Sequence, residues 1–448
     1  MLPPGPPTRR FVDTWRWLRT PLPWLDELAA RYGHAITLQL PRMNGPVVIF
    51  SEPAAVRDLW TGDPMQLHAG QANMILRSVL GKDSLLVLDG ERHLRERRLM
   101  LPPFHGDRMR AYGEAMRDAT SREIDRWPLG RTFPVHASTQ AITLDVIMRT
   151  IFGVGGDDAR LAPLRDALVR WTTLGTSRVG TAVLLLTPPD RAEQMWELST
   201  RPWGRLLPWA PIVRARIETD RLVRELIAAR RREPTGGRDD ILSMLLEARD
   251  ETGAAMTDDQ LRDEMLTLLL AGHETTATTL AWAIHHLLEH PAWLARVRAE
   301  VRELGDASPL LDAVIKETLR LTPIIPMVGR MVGKPTTIGG YDLPAGAFAL
   351  AAIYLVHRRA DLWPDPTRFD PSRFAGKKID PTTYFPFGGG ARRCLGMAFA
   401  SYEMKIVLAT ILARAELAPA AGARIRLVRR GITFAPSGGM PVVMTARS

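Results

Sequence analysis

The chain has 448 residues, 46% of them hydrophobic and 24% charged, which excludes disordered and collagen-like proteins. Its net charge of +10 raises a nucleic-acid partner, yet the basic residues are interleaved with acids and apolars. No zinc-finger spacing, RRM-like pattern or basic tail accompanies them, so no nucleic-acid partner is expected. Residues 1–24 hold no apolar run for a signal peptide or membrane anchor, and one cysteine precludes an intramolecular disulfide. Both features suit a cytoplasmic protein.

In chain order, "HAITLQLP" and "GPVVIFSEP" read as an early pair of strands. Apolar residues at three-and-four spacing then predict helices over 54–60, 92–101, 107–127, 137–152, 161–175 and 211–232. The segment 176–196, "TSRVGTAVLLLTPPDRAEQMW", is broken by Pro-Pro and has the texture of a mobile lid over a pocket. No repeat and no linker longer than "RREPTGGRDD" divides the chain, which implies one domain over 1–448.

The clearest helix opens on the capping box at Thr257 and runs to His290, where Pro291 follows. Its length, and apolar residues on several sides, predict that it crosses the core. A further helix starts at Ser308 with Pro309 at its first position and ends before Pro323. Residues 336–359 then read as short strands bounded by Gly-Gly and Pro-Ala-Gly turns. The sheet is a minor element.

The only cysteine lies in "PFGGGARRCLGMAFA", residues 386–400. Gly388, Gly389 and Gly390 permit backbone geometry closed to other residues, and the sequence beyond Cys394 is helical. Cys394 is therefore expected at a helix N-terminus, where backbone N–H groups and nearby Arg392 and Arg393 favour a thiolate. Three other segments stand out: Ala271-Gly272-x-Glu274-Thr275-Thr276 in the long helix, Glu317-x-x-Arg320 in the helix before Pro323, and "WPDPTRFDPSRF" ending in Arg373-Phe374.

Phe387-x-x-Gly390-x-Arg392-x-Cys394-x-Gly396 resembles the haem-binding signature of the cytochromes P450, and the other three segments resemble that family's motifs in its order. The resemblance implies a mainly α protein with small β-sheets, the cytochrome P450 fold, and haem b ligated by the Cys394 thiolate. Phe387 would shield the sulfur, Gly388 and Gly390 would shape the loop, and Gly396 would leave the porphyrin unobstructed. His93, Arg97, Arg330 and Arg392 would meet the propionates. Ala271 and Gly272 would let the long helix pass close over the haem, with Glu274 and Thr275 as the acid–alcohol pair that delivers protons. Glu317, Arg320 and Arg373 would form a buried structural network.

The family's substrate contacts fall here in the loop 65–90, with Met74 and Ile75, on Leu266, Thr267, Leu270, Ala271, Ile324, Ile325, Met327 and Val328, in the region 165–210 and at "APSGGM". Val183, Leu184, Leu185 and Leu186 would line or cover the same pocket, which suits a hydrophobic small molecule: a fatty acid, terpenoid, macrolide or steroid. Arg77 or Arg178 is the candidate anchor for a fatty-acid carboxylate. With no Rossmann fingerprint or flavin module, electrons would come from an acidic ferredoxin with its reductase, docking beside Arg92, Arg95, Arg98 and Arg393. The implied activity is monooxygenation. A cysteine hydrolase or a basic nucleic-acid-binding protein would leave the other three motifs unaccounted for.

Overall fold

Thr257 and Gln260 form the expected capping box: the Gln260 N–H donates to Thr257 Oγ1 at 3.2 Å, and the Thr257 N–H to Gln260 Oε1 at 2.8 Å. From this start the chain runs helical over Asp258–Glu289, 32 residues, and stops at His290 ahead of Pro291. The computed structural model describes residues 1–7, 10–40, 43, 45–104, 108–153, 161–187, 189–201, 203–233 and 238–447. In it the long helix buries Leu261, Met265, Leu266, Leu269, Leu280, Ala281 and Ile284 in the largest hydrophobic cluster.

The helix Val135–Phe152 packs along the long helix, in part through threonines. Thr139 and Thr143 donate to the carbonyls of Ala277 and His273 at 2.9 and 3.0 Å. A Cβ on Gly272 would meet the end of the Ile147 side chain at 3.1 Å, a tight contact where the two helices cross. The two sequence segments are thereby held in a fixed rotation about their axes.

The helices expected from periodicity appear as Pro53–Thr61, Gly90–Met100, Arg108–Asp125, Val135–Phe152, Ala162–Gly175, Ala210–Arg232 and Pro309–Leu321. The early strand pair is real: Ala35–Leu38 pairs antiparallel with Val47–Phe50. That pair continues into a five-stranded sheet through Phe348–Ala351, Val328–Val332 and Leu67–His68, with the Val47–Phe50 to Phe348–Ala351 pairing parallel. A three-stranded sheet joins Thr132–Pro134, Pro441–Arg447 and Ala415–Pro419, and Leu427–Arg430 forms a hairpin with Thr433–Pro436.

One reading changes and one gains detail. The segment 176–196 folds into two helices, Arg178–Leu186 and Pro189–Thr200, the first capped by Ser177, whose Oγ accepts the Gly180 N–H at 3.1 Å. Within 336–359 the strands end at Ala351, and Ile353–Val356 closes into one helical turn. All four of its residues are buried, which the alternation of a half-exposed strand would not allow. Among the described residues no helix is long and apolar enough to cross a membrane.

Candidate active site

Cys394 lies two residues before Gly396, the N-cap of the helix Met397–Arg414, as the sequence led us to expect. The loop that presents it is built from tight backbone bonds: Gly388 N–H to Phe385 O at 2.9 Å, Arg393 N–H to Gly390 O at 3.1 Å, and Cys394 N–H to Phe387 O at 3.0 Å. Gly388 and Gly390 have φ of 66° and 62°, in the left-handed region. A Cβ on Gly390 would lie 2.3 Å from the Trp60 carbonyl oxygen, so this glycine is required twice over.

Cys394 is exposed by surface area, yet burial is the main influence on its thiol and pushes its pKa up. The two facts together describe a recess. The Gly396 N–H, Arg97 and Arg393 act in the opposite direction and favour the thiolate. Arg392 does not join them. Its guanidinium instead bonds Asp89 at 2.6 Å and the carbonyls of Leu85 and Leu88, which clips the Cys394 loop to the segment 85–89.

That segment is held in turn by the long helix. Asp263 accepts the Asp83 N–H, Glu264 accepts the Leu85 N–H, both at 2.8 Å, and Thr267 bonds Ser84 Oγ at 2.7 Å. Burial raises the Glu264 pKa well above the ordinary carboxylate value. Thr267 and Leu266, expected among the substrate contacts, are buried in this packing.

His93, Arg97, Arg330 and Arg392 lie near one another: the charges of the three arginines reach His93, that of Arg392 reaches Arg330, and that of Arg97 reaches Arg392. Burial, reinforced by Arg392, Arg97 and Arg330, lowers the His93 pKa to about 3, so the ring is neutral. Burial also lowers Arg330 and Arg392 to about 10. Asp89 pairs with Arg392 at 2.6 Å and its charge reaches Arg330, while Arg97 has no hydrogen-bonded or ion-paired partner among the described residues. A cluster so short of negative charge fits an anionic group, and the two propionates of haem supply it.

On the long helix, Ala271 is exposed and Gly272 and Thr275 are half-buried, although most of their neighbours on the helix are buried. Gly396 has no heavy atom within 4 Å of its Cβ direction. These small, open positions fit a flat cofactor lying between the helix and the cysteine loop. On its other side Gly272 lies close to Ile147, whose side chain would be 3.1 Å from a Cβ there. Thr275 Oγ1 donates to the Ala271 carbonyl at 2.8 Å, the back-bond open to a helical threonine.

Glu274 turns away from Thr275. Its Oε2 accepts from Gln140 Nε2 at 2.5 Å, while Oε1 lies 4.0 Å from Arg430 and has no hydrogen bond. The expected acid–alcohol pair is therefore adjacent in sequence but not hydrogen-bonded through its side chains.

Glu317, Arg320 and Arg373 meet as expected. Arg320, fully buried, makes a two-pronged pair with Glu317 at 2.7 and 2.8 Å, and Arg373 Nε lies 3.4 Å from the same carboxylate. Arg320 also donates to the carbonyls of His357, Pro366 and Arg368. His357, which the sequence reading did not single out, carries this network to the cysteine loop: its Nε2 accepts the Phe385 N–H at 3.1 Å. No local pattern marks it; only the folded contact does.

Of the substrate candidates, Met74, Ile75, Leu270, Ile325, Met327 and Val328 are half-buried and Ile324 is buried. Met327 and Val328 pack against the two smaller clusters beside the five-stranded sheet. Val183 and Leu184 are half-buried, while the side chains of Arg178, Leu185 and Leu186 lie outside the described residues. Arg77 lines an open cleft of about 460 Å³ with Lys82, Asp83, Val87, Leu88, Asp89 and Arg92, a polar rather than apolar setting. Three of the four candidate docking arginines are already paired: Arg92 with Asp83 at 2.8 Å, Arg95 with Asp250 at 2.9 Å, and Arg98 with Glu251. Arg393 is exposed with no acidic partner among the described residues.

The family model described as "Cytochrome P450" matches residues 3–440. The chain belongs to the cytochrome P450 family. This P450 is 41% identical to the chain named cytochrome P450 135B1 of Mycobacterium tuberculosis, over 99% of its own length and 92% of the relative's. It is 38% identical to cytochrome P450 138 of the same organism, over 94% and 91%. Among solved structures it resembles the cytochrome P450DA heme domain, with TM-score 0.83, 25% identity and coverage of 100% and 99%. A retinoic acid-bound cyanobacterial CYP120A1 has the same fold, with TM-score 0.85, 24% identity and coverage of 100% and 99%. As a member of this family the P450 binds haem b and is a monooxygenase.

Proposed function

We propose that this chain acts as one domain that inserts an oxygen atom from O2 into a hydrophobic small molecule, with Cys394 as the iron ligand. The observation that carries the assignment is the recessed Cys394, with the Gly396 N–H, Arg97 and Arg393 favouring its thiolate. Thiolate-ligated haem supplies O–O cleavage when bound. The residues present do the remainder. Arg97, Arg330 and neutral His93 hold the propionates, and Arg392 acts one step back, fixing the loop that these groups face. Gly396 and Ala271 leave room on either side, while Phe387 packs against the main core beside the cysteine loop.

Thr275, beside Ala271, is the hydroxyl that holds a proton at the reacting oxygen. Glu274 brings protons from the protein surface by turning from Gln140 toward Thr275. Met74, Ile75, Leu270, Ala271, Ile324, Ile325, Met327 and Val328 form the apolar substrate wall. The apolar character of this set favours terpenoid, macrolide, steroid or fatty-acid chemistry. Electrons come from an acidic ferredoxin with its reductase in the cytoplasm, and Arg393 is the docking cation.

The test is the reduced carbon monoxide difference spectrum of the purified protein and of Cys394→Ser. The thiolate signature should appear in the first and vanish in the second, and a Ser variant that kept it would overturn the ligand assignment. Thr275→Ala should keep haem while diverting reduced oxygen to hydrogen peroxide. Fully coupled turnover in that variant would remove Thr275 from proton delivery.

A further inference from the structure

Glu274 sits in a seat built by elements far apart in the chain. Gln140 and His136 come from the helix Val135–Phe152, and Arg430 from the end of the strand Leu427–Arg430. Gln140 holds Oε2. The other oxygen is buried without a hydrogen bond, an unusual state for a carboxylate whose neighbour at 4.0 Å is a guanidinium.

Arg430 is occupied elsewhere. Its Nη1 lies 3.4 Å from His136 Nδ1 and its Nη2 donates to Thr176 Oγ1 at 3.2 Å. Because an arginine only donates, His136 Nδ1 accepts, and Nε2 carries the proton toward Thr278 Oγ1 at 3.1 Å. Thr278 in turn donates to the Glu274 carbonyl at 2.8 Å. Burial, opposed by Glu274 and reinforced by Arg430 and His273, lowers the His136 pKa to about 4, so this ring is neutral.

The tip of the hairpin is tied to the substrate-side segment a second time: Gly431 N–H donates to Thr181 Oγ1 at 3.1 Å. Thr176 and Thr181 flank the start of the helix Arg178–Leu186, the segment proposed to cover the substrate. Arg430 is partly exposed while Glu274 is buried.

We propose that Arg430 is a positioning residue for Glu274: held by Thr176 and His136 it leaves the carboxylate able to turn, and released from them it closes on Glu274 and locks it onto Gln140. Movement of the segment around Thr176–Thr181 thereby sets whether protons reach Thr275. The proposal rests on the reading of Glu274 as the proton carrier.

The experiment uses the full-length, haem-loaded protein. The infrared band of the Glu274 carboxyl group, assigned by its loss in Glu274→Gln, is compared in wild type, Thr176→Val/Thr181→Ala, Arg430→Met, and the triple combination. The two threonine changes should shift the band, although neither touches Glu274, and they should have no effect once Arg430 is Met. Arg430→Lys, which keeps the charge, should restore part of the response. An absent shift, or a shift that persists in the Arg430→Met background, would overturn the proposal. In parallel, hydrogen peroxide released when the dithionite-reduced, substrate-free protein is reoxidised by O2 should rise several-fold in Glu274→Gln. An unchanged yield there removes the proton-carrier reading and the proposal built on it. A raised yield with an unresponsive band removes the Arg430 coupling alone.

Discussion

Glu317→Ala tests the buried network most sharply. Arg320 is fully buried and every one of its five N–H groups is used: two on Glu317, and the others on the carbonyls of His357 and Pro366 at 2.7 Å and Arg368 at 3.2 Å. Removing Glu317 leaves an uncompensated buried cation, and breaking such a pair costs about 3–5 kcal/mol. It also strands the Asp370 N–H, which donates to Glu317 Oε1 at 2.9 Å. Against a total stability of roughly 5–15 kcal/mol, that is a large fraction. The damage should not stay local. Arg320 holds the His357 carbonyl, the His357 ring holds the Phe385 N–H, and the Phe385 carbonyl holds Gly388 N–H at the entrance to the cysteine loop. Urea unfolding of the haem-loaded protein, followed by tryptophan fluorescence, gives the stability change. Amide hydrogen exchange over 385–396 reads the loop. A loss below about 1 kcal/mol, the size of a single ordinary hydrogen bond, or an unaltered loop would refute the reasoning.

Glycine positions in the cysteine loop should separate folding from cofactor uptake. Gly390→Ala places a Cβ 2.3 Å from the Trp60 carbonyl at a φ of 62° and should cost about 1–3 kcal/mol in unfolding experiments. A Cβ at Gly396 meets no protein atom within 4 Å, so in Gly396→Ala circular dichroism should stay unchanged while the haem content per chain falls. His357 has its pKa lowered by burial to about 3, against an unfolded value of about 6.5. Below about pH 6.5 the unfolded chain takes up a proton that the folded ring refuses, so stability falls as the pH falls toward 3, by up to about 1.4 kcal/mol per pH unit. His357→Phe should be less stable at neutral pH, through the orphaned Phe385 N–H, yet show a flatter decline in acid when thermal unfolding is followed across pH. Charge reversal at Arg393 should slow reduction by an acidic ferredoxin and weaken its salt dependence. Arg98→Glu, whose parent is already paired with Glu251, should change both less.

What the sequence determined by itself was whatever depends on neighbours in the chain. The capping box at Thr257, the three-and-four spacing of the helices, the position of Cys394 before a helix, and the i, i+3 pairing of Glu317 with Arg320 are local, and each appears in the fold. Arg373 joined that pair through a family motif rather than through spacing. The tertiary structure decided which way each side chain turns. Gly272 lies across from Ile147, and Arg392 is spent on Asp89 and two carbonyls. Glu274 faces Gln140 instead of Thr275. Basic runs that looked like a docking surface are mostly neutralised by Asp83, Asp250 and Glu251, two of them distant in sequence. A side chain's partner is set by which helices cross and at what rotation, and no window of sequence contains that information.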